Sequence, residues 1–253
     1  MSSLFDSPRF SQSLFYPRQD ISPAPSGATD LFVPVPDGAI HVRWYRQPLR
    51  QRVSLLLFHG NGEVVADYDS LAGFFFACGT DLAVVDYRGY GRSRGTPTLR
   101  NTIEDAPLVL NAFKEAGAGS PIVMGRSLGS ACAAELYSSP PELAAGFIWE
   151  SGAADLQSLV RRRGLVPPAQ FSESELTVFD PCRKLARGTR PLLVIHGEAD
   201  NLIHPAEAKI AFAAAAASDK TLCLIPDHGH NDLAGSSLYW KSIREFVHRV
   251  TPI

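Results

Sequence analysis

Short, almost uninterrupted apolar runs punctuate the chain: VSLLLF at 53–58, LAVVDY at 82–87, PIVMG at 121–125, GFIWE at 146–150, PLLVIHG at 191–197 and TLCLIP at 221–226. Each is too short for a helix and shows little polar alternation, the pattern of strands buried on both faces. Between them lie longer amphipathic or alanine-rich stretches, at about 64–77, 101–116, 128–138, 153–163, 204–217 and 236–249, which predict helices. Strand and helix in alternation predict an α/β fold with a mostly parallel central sheet and helices on both faces. Upstream, DLFVPVPDGAIHVRWYR holds two alternating runs around Asp37-Gly38, a hairpin signal. Residues 1–28, rich in Pro and Ser, read as an extended N-terminal arm, which leaves 29–253 as a single domain. The interval 157–190 is too long for a simple connection and reads as a small lid over the carboxyl edge of the sheet.

Composition narrows the classes. A chain of 253 residues, 45% hydrophobic and 20% charged, suits one soluble α/β domain. A net charge of −2 gives no basic footprint for nucleic acid. No apolar run approaches the roughly 20 residues that span a bilayer, so no membrane span is expected. Cys78, Cys132, Cys182 and Cys223 are far apart, without C-x-x-C or a metal-like cluster, and read as free thiols of a reducing compartment. The first twenty residues lack a basic stretch followed by an apolar core, so no secretory leader is expected either. These features together predict a cytoplasmic protein; oligomeric state is left open.

The chemistry starts at GRSLG, where PIVMG turns into a helix pattern. Ser127 stands between Gly125 and Gly129 at a strand-to-helix turn, the arrangement of a nucleophile elbow, in which the amide of the next residue points at a developing oxyanion. A serine hydroxyl needs a base to take its proton and a third group to orient that base, and on this fold the chain order is Ser, then Asp or Glu, then His. PLLVIHG ends in EAD, which offers Asp200, with Glu198 as the nearer competitor. PDHGHNDLAGSS offers His230 and His228, which spacing separates poorly. The turn after the first central strand, HGNGE, has small residues that let backbone N–H groups approach an oxyanion, so Asn61 and Gly62 are candidate donors alongside Leu128.

FHGNGE, VVDYRGYGRSRGTPT, GRSLGSA, IHGEADNLIHP and HGHNDL occur in the order and at about the spacing of α/β-hydrolase superfamily proteins. Over roughly residues 30–250 the chain most resembles the bud-emergence-related and serine-aminopeptidase-like branch, in the neighbourhood of depalmitoylating thioesterases. The resemblance implies Ser127 as nucleophile, Asp200 as acid and His230 as base, with the oxyanion turn at Asn61–Gly62 and Leu128. It implies a serine hydrolase of carboxylic esters or thioesters, with a small-molecule acyl substrate and neither cofactor nor metal. Depalmitoylating members carry a cysteine-rich N-terminal anchor, whereas residues 1–28 here contain no cysteine.

Other uses of the same residues are an acyltransferase, a peptidase or aminopeptidase, and a non-catalytic binding protein. An aminopeptidase needs a carboxylate to grip the substrate amine, and Glu150, Asp155 and Glu173 are candidates; Glu150 is also an alternative acid. Asp86 and Arg88 of the DYRGYGRSRGTP loop read as structural pairs, and His59 as a packing residue. Arg126 reads as a surface ion-pair partner. Arg161-Arg162-Arg163 reads as a solvated helix end, or as a greeting for an anionic group at the pocket mouth.

Overall fold

The computed structural model of the protein describes residues 3–47, 53–140 and 143–251. Eight strands form one sheet in the order β1-β2-β4-β3-β5-β6-β7-β8. The hairpin β1 (Ala28–Val35) and β2 (Gly38–Tyr45) turns at Asp37-Gly38 and is antiparallel, as is the pairing of β2 with β4 (Thr80–Val85). The remaining strands, β3 (Val53–Phe58), β5 (Ile122–Arg126), β6 (Gly146–Glu150), β7 (Leu192–Gly197) and β8 (Lys220–Ile225), run parallel to β4.

Successive side chains of a strand point to opposite faces, so a strand covered on both sides must be apolar throughout. β3 does this: Leu55 and Leu57 join the core under α2 (Ala72–Ala77) and α9 (Ser237–Val250), whereas Leu56 and Phe58 join the core under α3 (Leu99–Phe113), α4 (Ser130–Tyr137) and α8 (Ala206–Ala214). The interval expected to form a lid carries three short helices, α5 (Leu156–Arg162), α6 (Glu173–Phe179) and α7 (Pro181–Leu185), whose buried Val160, Phe179 and Leu185 extend the second of these cores.

The structure corrects the sequence reading in three places. Residues 1–28 are not extended throughout: Leu4–Asp6 make a single tight turn and Pro8–Leu14 form helix α1. The Ser7 hydroxyl caps α1 by accepting from the Phe10 amide, and Pro8 sits in its first turn, where a missing N–H costs nothing. Phe5, Phe10, Leu14 and Phe15 are buried, with the Phe5 ring 5.0 Å from Phe10 and 4.6 Å from Phe179. The helix expected over 64–77 is broken into a turn at Val65–Tyr68 and α2, and the break sets Asp69 against the Tyr45 hydroxyl and Arg43. The helix expected to reach 217 ends at Ala214, and the Lys220 ammonium donates to the carbonyls of Phe212 and Ala215 at that end. Among the described residues no helix is long and apolar enough to cross a membrane.

Candidate active site

Ser127 closes β5 with φ +51°, a left-handed conformation that costs an L-residue about 1–3 kcal/mol. Its two glycines are required by close approach. A Cβ on Gly129 would stand 2.0 Å from the Phe58 carbonyl oxygen, and one on Gly125 would stand 2.4 Å from the Gly129 oxygen. The strained turn projects the Ser127 hydroxyl towards the loops after β7 and β8.

From the loop after β8, His230 brings Nε2 to 2.8 Å from Ser127 Oγ, while its Nδ1 lies 2.7 Å from Asp200 Oδ2. Asp200 stands just past β7, and its Oδ1 accepts from the amides of Leu202 and Ile203, each at 2.8 Å. His196 Nε2 lies 3.1 Å from Asp200 Oδ2. Burial pushes the Asp200 carboxyl up, but hydrogen bonds from His196, His230 and the Ile203 amide outweigh it and hold the group well below the usual carboxylate range. The carboxylate thus stays charged opposite the imidazole. The competitors lie elsewhere: Glu198 is exposed, and the His228 ring nitrogen bonds the Pro226 carbonyl.

At the turn after β3 the two candidate donors separate. The Tyr90 hydroxyl takes the Tyr16 amide at 2.9 Å and itself donates to Asn61 Oδ1 at 2.6 Å. The Asn61 carboxamide donates back to the Leu14 carbonyl and accepts from the Tyr16 amide, so its side chain is spent on the N-terminal segment. Asn61 and Leu128 line the cavity that holds Ser127 and His230, a space of about 380 Å³; Gly62 is not among its described lining residues. Leu14, Leu99, Leu156, Leu159, Phe179 and Ile203 make most of its apolar wall.

Arg126 is not a surface residue. Its guanidinium lies between Glu63 and Glu150, with Nε 3.1 Å from Glu150 Oε1, and its Nη2 donates to the His230 carbonyl at 3.1 Å and to Asn231 Oδ1 at 2.9 Å. Burial raises the Glu63 carboxyl, but Arg126, His59, the Tyr68 hydroxyl and the Gly60 amide together outweigh it and the group is lowered; for the deeper Glu150 burial wins and the carboxyl is raised. Glu150 accepts from the Tyr239 hydroxyl at 2.7 Å on the far side of Arg126, so it is not in the position of a second acid for His230. A second cavity of about 220 Å³ lies behind this cluster. The signal that could have exposed the clamp is an arginine beside the nucleophile together with glutamates at the ends of two neighbouring strand turns.

The bracing loop behaves as its sequence suggests. Asp86, fully buried, receives His41 at 2.9 Å, His59 at 3.3 Å and the Val65 amide at 3.0 Å, and Arg88 grips Asp105 with two nitrogens. Of the carboxylates considered for an amine grip, Asp155 caps α5 and Glu173 pairs with Arg183 at the surface, and no Asp or Glu is among the described residues lining the cavity.

A family model described as serine aminopeptidase, S33, matches residues 50–177. The chain is similar to the alpha/beta hydrolase domain-containing protein WAV2 of Arabidopsis thaliana, 26% identical over 193 residues that cover 68% of this chain and 62% of that protein. It is also similar to protein bem46 of Schizosaccharomyces pombe, at 25% identity over 78% of this chain and 67% of the relative. The match thus spans about two thirds of the length of these relatives. Among solved structures, an esterase of Pyrococcus furiosus superposes with a TM-score of 0.74 at 18% identity, covering 92% of this chain and 98% of that one. A monoacylglycerol lipase of Paleococcus ferrophilus gives 0.61 at 18% identity, covering 78% and 94%. With half of its length matched by the family model and the sheet order to go with it, the chain belongs to the serine aminopeptidase S33 family, in the bud-emergence-like branch of the α/β-hydrolases.

Proposed function

We propose that the protein is a serine hydrolase that cleaves carboxylic esters or thioesters through an acyl-enzyme. The observation that carries this reading is the unbroken relay of short hydrogen bonds from Ser127 through His230, both in the wall of one cavity, to Asp200 behind it. Ser127 Oγ attacks the acyl carbon as His230 Nε2 takes its proton. Asp200 keeps the imidazole in the tautomer with hydrogen on Nδ1 and stabilises the imidazolium that forms. The tetrahedral oxyanion is received by the backbone amides of Asn61 and Leu128. His230 then protonates the leaving alkoxide or thiolate, and water, deprotonated in turn by His230, releases the acid and restores Ser127.

The cavity lining favours this over an aminopeptidase, because an ammonium substrate needs an anionic partner and the described lining residues supply arginines instead. Helices α5 to α7 act as the lid over the acyl group. The four cysteines are free thiols, which fits a reducing, cytoplasmic setting.

Labelling with a fluorophosphonate probe tests the reading. The intact protein is expected to label, and Ser127→Ala and His230→Ala are expected not to. An unlabelled intact protein would move the binding-protein reading to the front.

A further inference from the structure

Three arginines line the cavity, and their partners differ. Arg126 is consumed by two glutamates and two oxygen acceptors. Arg162 pairs through Nη1 with the buried Glu207, whose other oxygen holds the amides of Ala154 and Asp155; its Nη2 is sealed and has no hydrogen-bond partner. Arg163 has no carboxylate partner among the described residues. Its neighbours are the Tyr16 hydroxyl and the like charge of Arg162, and its Nε is buried without an acceptor. This is not a solvated helix end.

The fold therefore holds a half-buried guanidinium with no counter-charge among the described residues and with its Nε left unsatisfied. Burying an unpaired charge is costly, and the cost is relieved by an acceptor brought in from outside. Leu156, Leu159 and Arg163 share one face of α5 and its last turn, at positions i, i+3 and i+7. That wall passes from apolar to cationic over about 10 Å, given the helix rise per residue. The described lining contains no carboxylate to compete for the cation.

We propose that Arg163, flanked by Arg162, is an anion-binding specificity subsite, so that the preferred substrates are esters or thioesters carrying a carboxylate or phosphate at the end of a medium-length chain. A planar guanidinium fork suits either group, with two parallel N–H donors to two oxygens. The proposal rests on the serine-hydrolase reading for turnover but not for binding.

The test compares matched pairs. The acyl-side arm is the mono-para-nitrophenyl ester of suberic acid against para-nitrophenyl octanoate. The alcohol-side arm is octanoyl glycerol phosphate against octanoyl glycerol. The intact protein is expected to favour the anionic member of at least one pair by 10-fold or more in kcat/KM, chiefly through KM, and the arm that does so identifies where the anion sits. In Arg163→Gln that preference is expected to fall about 10- to 100-fold, the worth of a charge-assisted hydrogen bond. Arg163→Lys is expected to recover part of it, and Arg161→Gln, which alters an exposed member of the same run, is expected not to move it. No anionic preference in either arm, or a preference that survives Arg163→Gln, overturns the proposal while leaving the hydrolase reading intact. If neither member of any pair is hydrolysed, that reading fails, and calorimetry of suberate and octyl phosphate with Ser127→Ala decides the subsite. Binding that is lost in Ser127→Ala/Arg163→Gln supports it, and no binding of either anion overturns it.

Discussion

Arg126 Nη2 lies 3.1 Å from the main-chain oxygen of His230, so the residue before the nucleophile holds the loop that carries its base. The same guanidinium separates the half-buried Glu63 from the buried Glu150, and its planar fork serves all of these partners at once.

Arg126→Lys keeps the charge and removes the fork. We expect kcat to fall about 10- to 100-fold, the scale on which small misplacements of a catalytic group act. Arg126→Gln is expected to cost about 3–5 kcal/mol of stability as well, because it leaves Glu63 and Glu150 without a counter-charge. Steady-state kinetics of Arg126→Lys and urea unfolding of both variants check these outcomes; equal kinetics for wild type and Arg126→Lys would remove the clamp from the argument.

Asp200→Asn should leave the fold intact, since Asn Oδ1 can still accept from the Leu202 and Ile203 amides. The imidazole then loses the acceptor that fixes its tautomer, and kcat is expected to fall by about four orders of magnitude. Single-turnover hydrolysis of an activated ester measures this directly.

Acid should weaken the bracing loop. Burial raises the Asp86 carboxyl, but hydrogen bonds from His41 and His59 more than offset it and bring the group down to about 2 from its ordinary 3.8. A group lowered in the folded state adds stability above its ordinary value and loses it as the pH falls through the folded one; here that is about 2 kcal/mol between pH 4 and pH 2. Urea unfolding over that range should show a steeper loss for the intact protein than for Asp86→Asn.

Two glycines near the site should respond differently to alanine. Gly129→Ala sets a Cβ against the Phe58 backbone, which cannot give way as a flexible side chain can, and should cost about 3 kcal/mol or more. Gly62, at φ +82°, has open space where its Cβ would go, so Gly62→Ala should cost only backbone strain, about 1 kcal/mol. Thermal melts of the two variants would separate them; similar losses would contradict the packing account.

The sheet was legible because strands covered on both faces must be apolar throughout, and β3 to β7 stand out from their surroundings for that reason. Ser127 is legible because it follows an apolar run between two glycines; that Asp200 and His230, rather than Glu198 and His228, complete the candidate site is implied by the resemblance to α/β-hydrolases and not by spacing. What decides the rest is long-range. α1 was hidden by its Pro and Ser content, although Phe10 and Leu14 carry the helical spacing of a buried face. Arg126 was misread because its partners arrive from the turn after β3, the end of β6 and the loop after β8. Asn61 and Gly62 are inseparable in sequence; only the cavity distinguishes them, since Asn61 is among its described lining residues and Gly62 is not.

Both ends of the Asn61 carboxamide are tied to the first helix and the strand of chain that leaves it, through the Leu14 carbonyl and the Tyr16 amide. The turn proposed to receive the oxyanion is therefore a joint between distant parts of the polypeptide. The free energy with which Phe5, Phe10 and Leu14 seat in their apolar bed is spent partly on keeping that joint aligned. Removing the segment through Tyr16 would strip Leu14 from the cavity wall and release the Asn61 carboxamide, so the site would lose part of its substrate bed together with the alignment of its floor.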